Sequence, residues 1–397
     1  MITMGARQSL GLFVAPLNTS TGLGIEAISF AMAVGQFVWG ASQPVFGAVA
    51  DHYGPGRSLV AGGIMLAVGL ALTPFMQSEI ALVLSIGLLA AAGAGAGSFS
   101  ILIGATARRL PPERRAFASG LINAGGSFGQ FVFAPLLQAI IASFGWVQAM
   151  LTMAAVSLAT LPLAWPLRRG PVQSSMASAT APGAPAAGFA VAPAGGLRLQ
   201  LAQAFRDRSY WCLHAGFFTC GFHIAFLVTH LPGAVDLCGL PASVSAASLA
   251  LIGLANIVGS LGAGALAQRY RMKWLLAYLY GSRAVIIALY LLAPKTAWTF
   301  YLFSVALGLT WLATVPPTAG LVAKLFGLRY LATLFGLTLL SHQIGGFFGA
   351  WLGGIALVRF GNYDWMWYTD ILLASAAALV NLPIREQPVA LKAAAAA

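Results

Sequence analysis

Charged side chains are scarce in this chain of 397 residues, of which only 8% are Asp, Glu, Lys or Arg. A soluble domain carries about 25% charged residues, so a soluble protein of this length could not cover its surface with so few. Hydrophobic residues make up 59% of the chain. The composition therefore excludes an ordinary soluble enzyme or binding domain and indicates a protein embedded in a membrane.

Cysteine, metal-binding patterns and nucleotide-binding loops are also scarce or absent from the sequence. Cys212, Cys220 and Cys238 lack the spacing of a metal site, and we interpret them as small buried hydrophobic residues. No G-x-x-x-x-G-K-[ST] loop occurs, so ATP is not the expected energy source. The histidines inside the spans have no acid beside them in the sequence, which disfavours a membrane-embedded enzyme, and we expect no cofactor and no metal.

Long apolar runs fill most of the chain. A spanning helix needs about 20 apolar residues, and windows of that length predict twelve spans, named spans one to twelve in chain order. They are residues 1–17, 26–50, 58–76, 80–105, 116–143, 147–167, 210–233, 243–267, 274–294, 298–321, 331–358 and 366–383. The runs lack the alternation of barrel strands, so the fold class is an all-α membrane protein. Span one is short, and we expect the chain to start late, with a truncated first helix.

The net charge of +12 would fit nucleic-acid binding, but the positions of the basic residues indicate a membrane surface instead. Most Lys and Arg residues fall in alternate gaps between the spans, whereas the opposite gaps hold only Lys295 and Arg359. Basic residues concentrate on the cytoplasmic side of a membrane. We therefore predict cytoplasmic termini, an inner-membrane location, the lipid bilayer as partner, no nucleic-acid partner and a monomer.

A low-complexity stretch divides the spans into two sets of six. Residues 170–197 are mostly Pro, Ala, Gly and Ser, a composition typical of a flexible linker. We predict an N-terminal six-helix bundle at 1–169, a cytoplasmic linker at 170–205, a C-terminal bundle at 206–385 and a cytoplasmic tail at 386–397. One constant shift superimposes Gly104 on Gly320 and Gly120 on Gly336, which indicates an internal repeat. Transporters with a binding site at the membrane midplane are built from such repeats.

A polar motif follows span two. Gly47-x-x-x-Asp51-x-x-Gly54-x-x-Arg57 resembles the loop signature of the major facilitator superfamily, and a weaker copy follows span eight. The resemblance covers the whole chain. It implies a major facilitator fold, with twelve transmembrane helices in two pseudo-symmetric six-helix bundles, and secondary transport by alternating access.

Three further stretches resemble the bacterial branch of this superfamily that is related to monocarboxylate transporters and oxalate/formate exchangers. They are residues 5–11, Val315-Pro316-Pro317-Thr318 and Ser341-His342-Gln343-Ile344-Gly345. The branch implies a carboxylate as cargo. Related carboxylate transporters are expected to use an arginine in span eight, and its absence from this chain counts against that substrate.

The motif after span two fits a gate better than a substrate site. A lone carboxylate at the membrane boundary is costly to desolvate, so Asp51 is expected to pair with a motif arginine, a basic residue at the end of span four, or a helix N-terminus. Gly47 would let another helix approach closely. The alternative is a simple turn with an orienting charge. The predicted gating residues are Gly47, Asp51, Gly54, Arg57, Arg108 and Arg109.

Polar side chains inside the spans are costly to bury and are candidates for substrate binding. Arg7 is the leading candidate because a guanidinium stays charged and binds carboxylates through two donors; the alternative is an anchor that snorkels to the membrane edge. Arg283 either binds substrate or pairs with backbone carbonyls or Asn256. The predicted substrate-binding residues are Arg7, Asn123, His223, Arg283, Trp311, His342 and Gln343.

Histidine is the expected proton carrier if transport is coupled to protons, because imidazole titrates near neutral pH. The candidates are His223, His230 and His342, and for each the alternative is a satisfied buried histidine. We expect no acid at mid-depth, with Asp370 near the outer end of span twelve. The two prolines Pro316 and Pro317 are expected to break or bend span ten.

These features favour a secondary transporter that moves a small organic anion, a carboxylate in the leading interpretation, coupled to H⁺ or a counter-substrate. Efflux of a larger amphipathic compound is the alternative within the same class, on the basis of Trp311, Phe348 and Trp351. A non-transporting sensor or scaffold is the alternative of another class.

Overall fold

Helices form all of the regular secondary structure in the part of the chain that the structure describes. The computed structural model describes residues 1–98, 101–102, 112–165, 197–327 and 330–389, with the backbone alone for 112–120 and for Asp51, Asn123 and Ala332. No strand occurs among these residues. Most of the predicted linker, the end of the tail and the gating candidates Arg108 and Arg109 lie outside the described residues.

Ten of the predicted segments, spans two to eleven, form helices that are long and apolar enough to cross a membrane. Span five continues outward from Pro112, and span ten consists of two helices in line. A short helix, Leu197–Arg206, precedes span seven. The bounds of these spans are Ile25–Tyr53, Pro55–Leu72, Glu79–Ala96, Pro112–Phe144, Trp146–Leu163, Arg208–Asp236, Ala242–Arg269, Met272–Leu292, Ala297–Thr310 with Val315–Phe326, and Leu331–Phe360.

Spans one and twelve are also helical, although neither is among these ten long apolar helices. Span one consists of helix Ile2–Gln8, a 3₁₀ turn Leu10–Phe13 and helix Val14–Thr21. Span twelve is helix Asp364–Asn381 and packs against spans seven and nine. All twelve predicted segments are therefore present as helices.

Span ten is interrupted one turn earlier than its prolines alone would suggest. The first helix ends at Thr310 and the second begins at Val315, so residues 311–314 form the break. Pro316 and Pro317 occupy the first turn of the second helix, where a missing backbone N–H costs nothing and the fixed φ suits the helix. The expected break is present, and the prolines start the second helix.

Spans two and eleven hold the N-terminal and C-terminal halves together at the end of the molecule that carries Ile25. Gly354 packs against Ser29, and a Cβ at Gly346 would lie 3.6 Å from Gln36 Cβ. Phe30 packs edge-on against two aromatic rings of span eleven. A Cβ at Gly354 would overlap Ser29, so the helices approach most closely there.

Spans five and eight form the second contact between the halves. A Cβ at Gly253 would lie 2.7 Å from the carbonyl oxygen of Ser127, so only glycine fits there without a shift. The amide of Asn256 donates to Ser127 Oγ over 2.8 Å. The halves are thus joined near the middle of these two spans by a hydrogen bond and by close backbone packing.

Three glycines near the other ends of spans two, eight and eleven lack such close contacts with the described residues. No atom of the described residues lies within 4 Å of the Cβ position at Gly47 in span two, Gly264 in span eight or Gly336 in span eleven. The described residues give no close helix contact at Gly47, and its role in gating stays a prediction. Among the described residues, the close contacts between the halves therefore lie at the Ile25 end and in the middle of these spans, and not at these three glycines.

Two glycines of span eleven should respond in opposite ways to the same substitution. A Cβ at Gly349 would overlap the carbonyl oxygen of Phe222, whereas Gly336 faces open space. We expect Gly349→Ala to destabilise the protein by about 1–3 kcal/mol through overpacking, and Gly336→Ala to stabilise its helix by about 0.5–1 kcal/mol. Thermal unfolding of the detergent-purified variants measures both. Equal melting temperatures would contradict the packing described here.

Candidate functional site

The guanidinium of Arg7 is buried between spans one and two, with 9% of the residue exposed. It donates to Gln36 Oε1 and lies over the ring of Trp39, 4.1 Å from its centroid. Gln36 and Trp39 are three residues apart in one helix, so they share a face. The sequence analysis missed both, although a glutamine inside a span is itself a signal. No carboxylate of the described residues forms an ion pair with Arg7.

A small cavity adjoins Arg7. Its volume is about 30 Å³, and residues of spans one to four and of span seven line it, among them Gln36, Met32 and Thr229. A water molecule needs roughly 10–15 Å³ of such space, so the cavity has room for about two waters and not for a carboxylate. Helices must therefore move before an organic anion can reach the guanidinium.

Gln343 reaches toward this site from span eleven. Its side chain packs on Gly40 of span two, one turn beyond Gln36. Its Nε2 lies 3.4 Å from His342 Nδ1, and its Oε1 has no hydrogen-bond partner among the described residues. The fold thus brings Arg7 and Gln343, which are far apart in the sequence, to the same junction of spans one, two and eleven.

Arg283 is buried at the break in span ten and is not among the residues that line the cavity beside Arg7. Its Nη2 donates to the carbonyl oxygens of Thr310 and Trp311, the latter over 2.7 Å, and its guanidinium lies 5.3 Å from the ring of Tyr280. The last carbonyls of a helix have no intrahelical donor. Arg283 supplies one and stabilises the interruption, which matches the structural alternative of the sequence analysis.

Asn256 binds a backbone N–H group within the same break. Its Oδ1 accepts from the backbone N–H of Leu312 over 2.9 Å, while its Nδ2 donates to Ser127 of span five. One amide therefore connects the break in span ten to the contact between the halves. Trp311, a predicted binding residue, lies within the break with its ring fully buried.

His223 and Asp370 form a buried hydrogen-bonded pair across spans seven and twelve, through His223 Nδ1 and Asp370 Oδ2. The two residues are 1% and 0% exposed. Because His223 lies near the middle of Arg208–Asp236, the expectation that no acid reaches mid-depth is wrong. The depth of Asp370 was judged from its distance to the end of span twelve. Its partner in the folded protein is a residue in the middle of span seven, and this pairing cannot be seen in the sequence of span twelve.

His230 lies two turns from His223 on the same face of span seven. Its Nε2 donates to the carbonyl oxygen of Ala350 over 2.7 Å, and its Nδ1 is 3.4 Å from the hydroxyl of Tyr363. It also lines a cavity of about 260 Å³ near the Ile25 end, together with Asp236. His230 is thus a hydrogen-bonded histidine beside an outer cavity.

The loop motif is described only in part. Gly54 has φ +92°, a conformation that strongly favours glycine, and ends span two in a tight turn. Arg57 is exposed at the start of span three. The side chains of Asp51 and Asn123 lie outside the described residues, as do Arg108 and Arg109, so the gating pair remains a prediction.

The model of the Major Facilitator Superfamily matches residues 1–350 of this sequence. The chain belongs to the major facilitator superfamily. It is a multi-pass membrane transporter of this superfamily and not an enzyme. A solved bacterial homologue of the human lysosomal transporter Spinster, in an inward-facing and occupied conformation, shares the fold with a TM-score of 0.68 and 13% identity, over 96% of this chain and 91% of that chain.

Two relatives place this major facilitator protein in the branch that the sequence indicates. It is 28% identical to monocarboxylate transporter 13 of Rattus norvegicus over 389 residues, which is 96% of this chain and 86% of the relative. It is 24% identical to the oxalate:formate antiporter of Oxalobacter formigenes over 373 residues, which is 94% of this chain and 84% of the relative. The resemblance to the monocarboxylate and oxalate/formate branch is therefore confirmed.

The two buried arginines should differ in their effect on stability. Arg283→Gln removes donors from buried carbonyls, and each unpaired group costs about 1–3 kcal/mol, so we expect a lower melting temperature. Arg7→Gln removes a buried charge that lacks a carboxylate and leaves an amide able to pair with Gln36, so we expect an unchanged or higher melting temperature. Thermal unfolding in detergent compares them, with the loop variant Arg269→Gln as control. Destabilisation by Arg7→Gln that equals that of Arg283→Gln would assign Arg7 a structural role.

Proposed function

We propose that the protein carries a small organic anion, a carboxylate, across the cytoplasmic membrane by alternating access, with Arg7 as the anion-binding residue. One observation carries the proposal: a nine-tenths buried guanidinium that has a neutral amide and an aromatic ring as its contacts. A buried charge is costly unless it is paired. A bound carboxylate would supply the missing counter-charge, and the planar guanidinium offers two parallel donors to it.

Gln343 and Gln36 are proposed to complete the binding site from opposite halves. Gln343 has an unpartnered buried oxygen next to span two, and Gln36 already accepts from Arg7. When the halves rock, span eleven moves relative to span two, and the two amides separate or close around the anion. Substrate contact is thereby coupled to conformation, because the site is complete only when the halves approach.

The side from which substrate enters in this conformation is proposed from the charge distribution. Basic residues concentrate in the gaps on the motif side, which is the cytoplasmic side by the positive-inside rule. The Cβ positions of Gly47, Gly264 and Gly336 on that side meet no described atom, which supports the proposal that this conformation is inward-facing, with both termini cytoplasmic. In the opposite conformation Asp51 and its predicted partners would close this side.

The names of the relatives support a carboxylate as cargo. Monocarboxylate transporters and an oxalate:formate antiporter are similar to this chain along most of its length. We propose that energy comes from H⁺ or from a counter-substrate and that the carrier works as a monomer. The predicted span eight, residues 243–267, contains no arginine. We propose that Arg7 in span one takes the role that an arginine in span eight is expected to have in related carboxylate transporters.

Transport of carboxylates should depend on the guanidinium of Arg7. We expect purified protein to be stabilised against thermal unfolding by at least one of oxalate, formate, L-lactate and succinate, and proteoliposomes to exchange the radiolabelled compound. Arg7→Gln should abolish both effects, and Arg7→Lys should retain weak binding, because lysine keeps the charge but loses the paired donors. Arg271→Gln, which removes a loop charge, is the matched control. Unchanged exchange by Arg7→Gln would overturn the anion site.

The proposed topology can be tested by cysteine labelling in intact cells. We expect probes at Arg57→Cys and Arg269→Cys to react only after the membrane is permeabilised, and a probe at Lys295→Cys to react from outside. The parent protein, which has Cys212, Cys220 and Cys238, gives the background. Labelling of positions 57 and 269 on opposite faces would contradict the topology.

A further inference from the structure

A seam of polar contacts joins spans seven and twelve. His230 faces Tyr363, which directly precedes span twelve, and His223 faces Asp370. The two residues on each side are seven positions apart. The helices are antiparallel, which brings both pairs into register two turns apart. This seam lies in the C-terminal half, and none of its four residues lines the cavity beside Arg7.

The His223–Asp370 pair is buried and keeps unused capacity for a proton. His223 Nε2 and Asp370 Oδ1 have no hydrogen-bond partners among the described residues. With one shared proton, on His223 Nδ1, the pair carries one negative charge. A second proton, on Asp370 Oδ1 or His223 Nε2, makes the pair neutral overall. The two unpartnered atoms are therefore positions at which the pair can hold this second proton, and a net charge is costly in the membrane interior.

The groups around the pair set its charge environment. The ring of Trp311, in the break of span ten, lies 6.0 Å from the ring of His223. Arg283 of span nine donates to the carbonyl oxygen of Trp311 and is the fixed cation next to this break in the described residues. The other titratable groups on neighbouring positions are Cys220 and His230 on span seven, Tyr280 on span nine, His342 on span eleven and Tyr363 before span twelve.

Aromatic rings separate the pair from the outer cavity. That cavity, lined by His230, Asp236 and Tyr363, lies on the Ile25 side. Phe226 packs between the two polar contacts, with its ring 4.8 Å from that of Trp367 and 5.9 Å from that of His230. On the other side of the pair lies the break in span ten. The pair is therefore sealed from the outer cavity in this conformation and adjoins the segment that is interrupted.

We propose that His223 and Asp370 form the proton-binding site of the carrier, separate from the anion site at Arg7. The proposal rests on the proposed function and adds its coupling ion. Movement of spans seven and twelve past the aromatic barrier of Phe226 and Trp367 opens the pair to the outer cavity. Rearrangement at the span-ten break opens it to the other side. Each transport cycle moves one proton with one monocarboxylate, so the anion's charge at Arg7 and the proton's charge at Asp370 offset each other.

Proteoliposomes with internal pyranine and an imposed pH gradient, alkaline inside, test the proposal with labelled L-lactate and oxalate. For L-lactate, wild-type protein should acidify the interior during uptake and accumulate the anion about tenfold per pH unit, as one proton per charge requires. Asp370→Asn should exchange internal for external anion at equal pH and should lose both the acidification and the accumulation. His214→Gln, a buried hydrogen-bonded histidine of span seven, is the matched control and should behave as wild type.

The outcomes separate the two proposals. If wild-type protein exchanges none of oxalate, formate, L-lactate and succinate, the proposed function is wrong. If it exchanges them without proton movement or accumulation, the function stands and the proton site is wrong. Accumulation by Asp370→Asn equal to wild type also overturns the site, as does loss of exchange in Asp370→Asn that Asp370→Glu does not restore. Gel filtration of each variant checks its folding, and restored accumulation in Asp370→Glu supports the site even if the asparagine variant unfolds.

Discussion

The cost of placing a charge in the membrane interior governs every polar site of this protein. The C-terminal half meets that cost internally: Arg283 binds the free carbonyls of an interrupted helix, and Asp370 pairs with His223. Arg7 is different, because its described contacts are a neutral amide and an aromatic ring. Arg283 also has no carboxylate partner among the described residues, but it donates to two backbone carbonyls at the end of a helix, whereas Arg7 donates to one side-chain amide. This difference is why we propose Arg7, and not Arg283, as the residue that binds an external anion.

The interruption of span ten depends on two side chains from other helices. Arg283 satisfies the carbonyls before the break and Asn256 satisfies an N–H within it. Because Asn256 also bonds Ser127 in the N-terminal half, the break and the contact between the halves share one residue. A motion that separates spans five and eight would break the bond from Asn256 to Ser127 and free the side chain that also accepts from the break.

The sequence was sufficient for the helical segments and the family, because apolar runs and the Gly47–Arg57 motif are local patterns. It was insufficient for pairings between helices. The partner of Arg7 was missed because Gln36 is adjacent only after spans one and two pack. The depth of Asp370 was misjudged because it depends on the crossing of spans seven and twelve. The sequence left two possible roles for Arg283, substrate binding or a structural pairing. The position of the break in span ten was needed to decide between them.

The distribution of buried charge also limits how the carrier can work. The cations Arg7 and Arg283 and the anion Asp370 leave the interior of the described spans with one excess positive charge. Loading a single anion at Arg7 cancels that excess, and a proton on the His223–Asp370 pair restores it. A carrier loaded with both would reorient with the same interior charge as the empty carrier. The cargo of one anion and one proton would carry no net charge, so the membrane potential would not drive its movement. The driving force for such a cycle would be the chemical gradients of the anion and the proton.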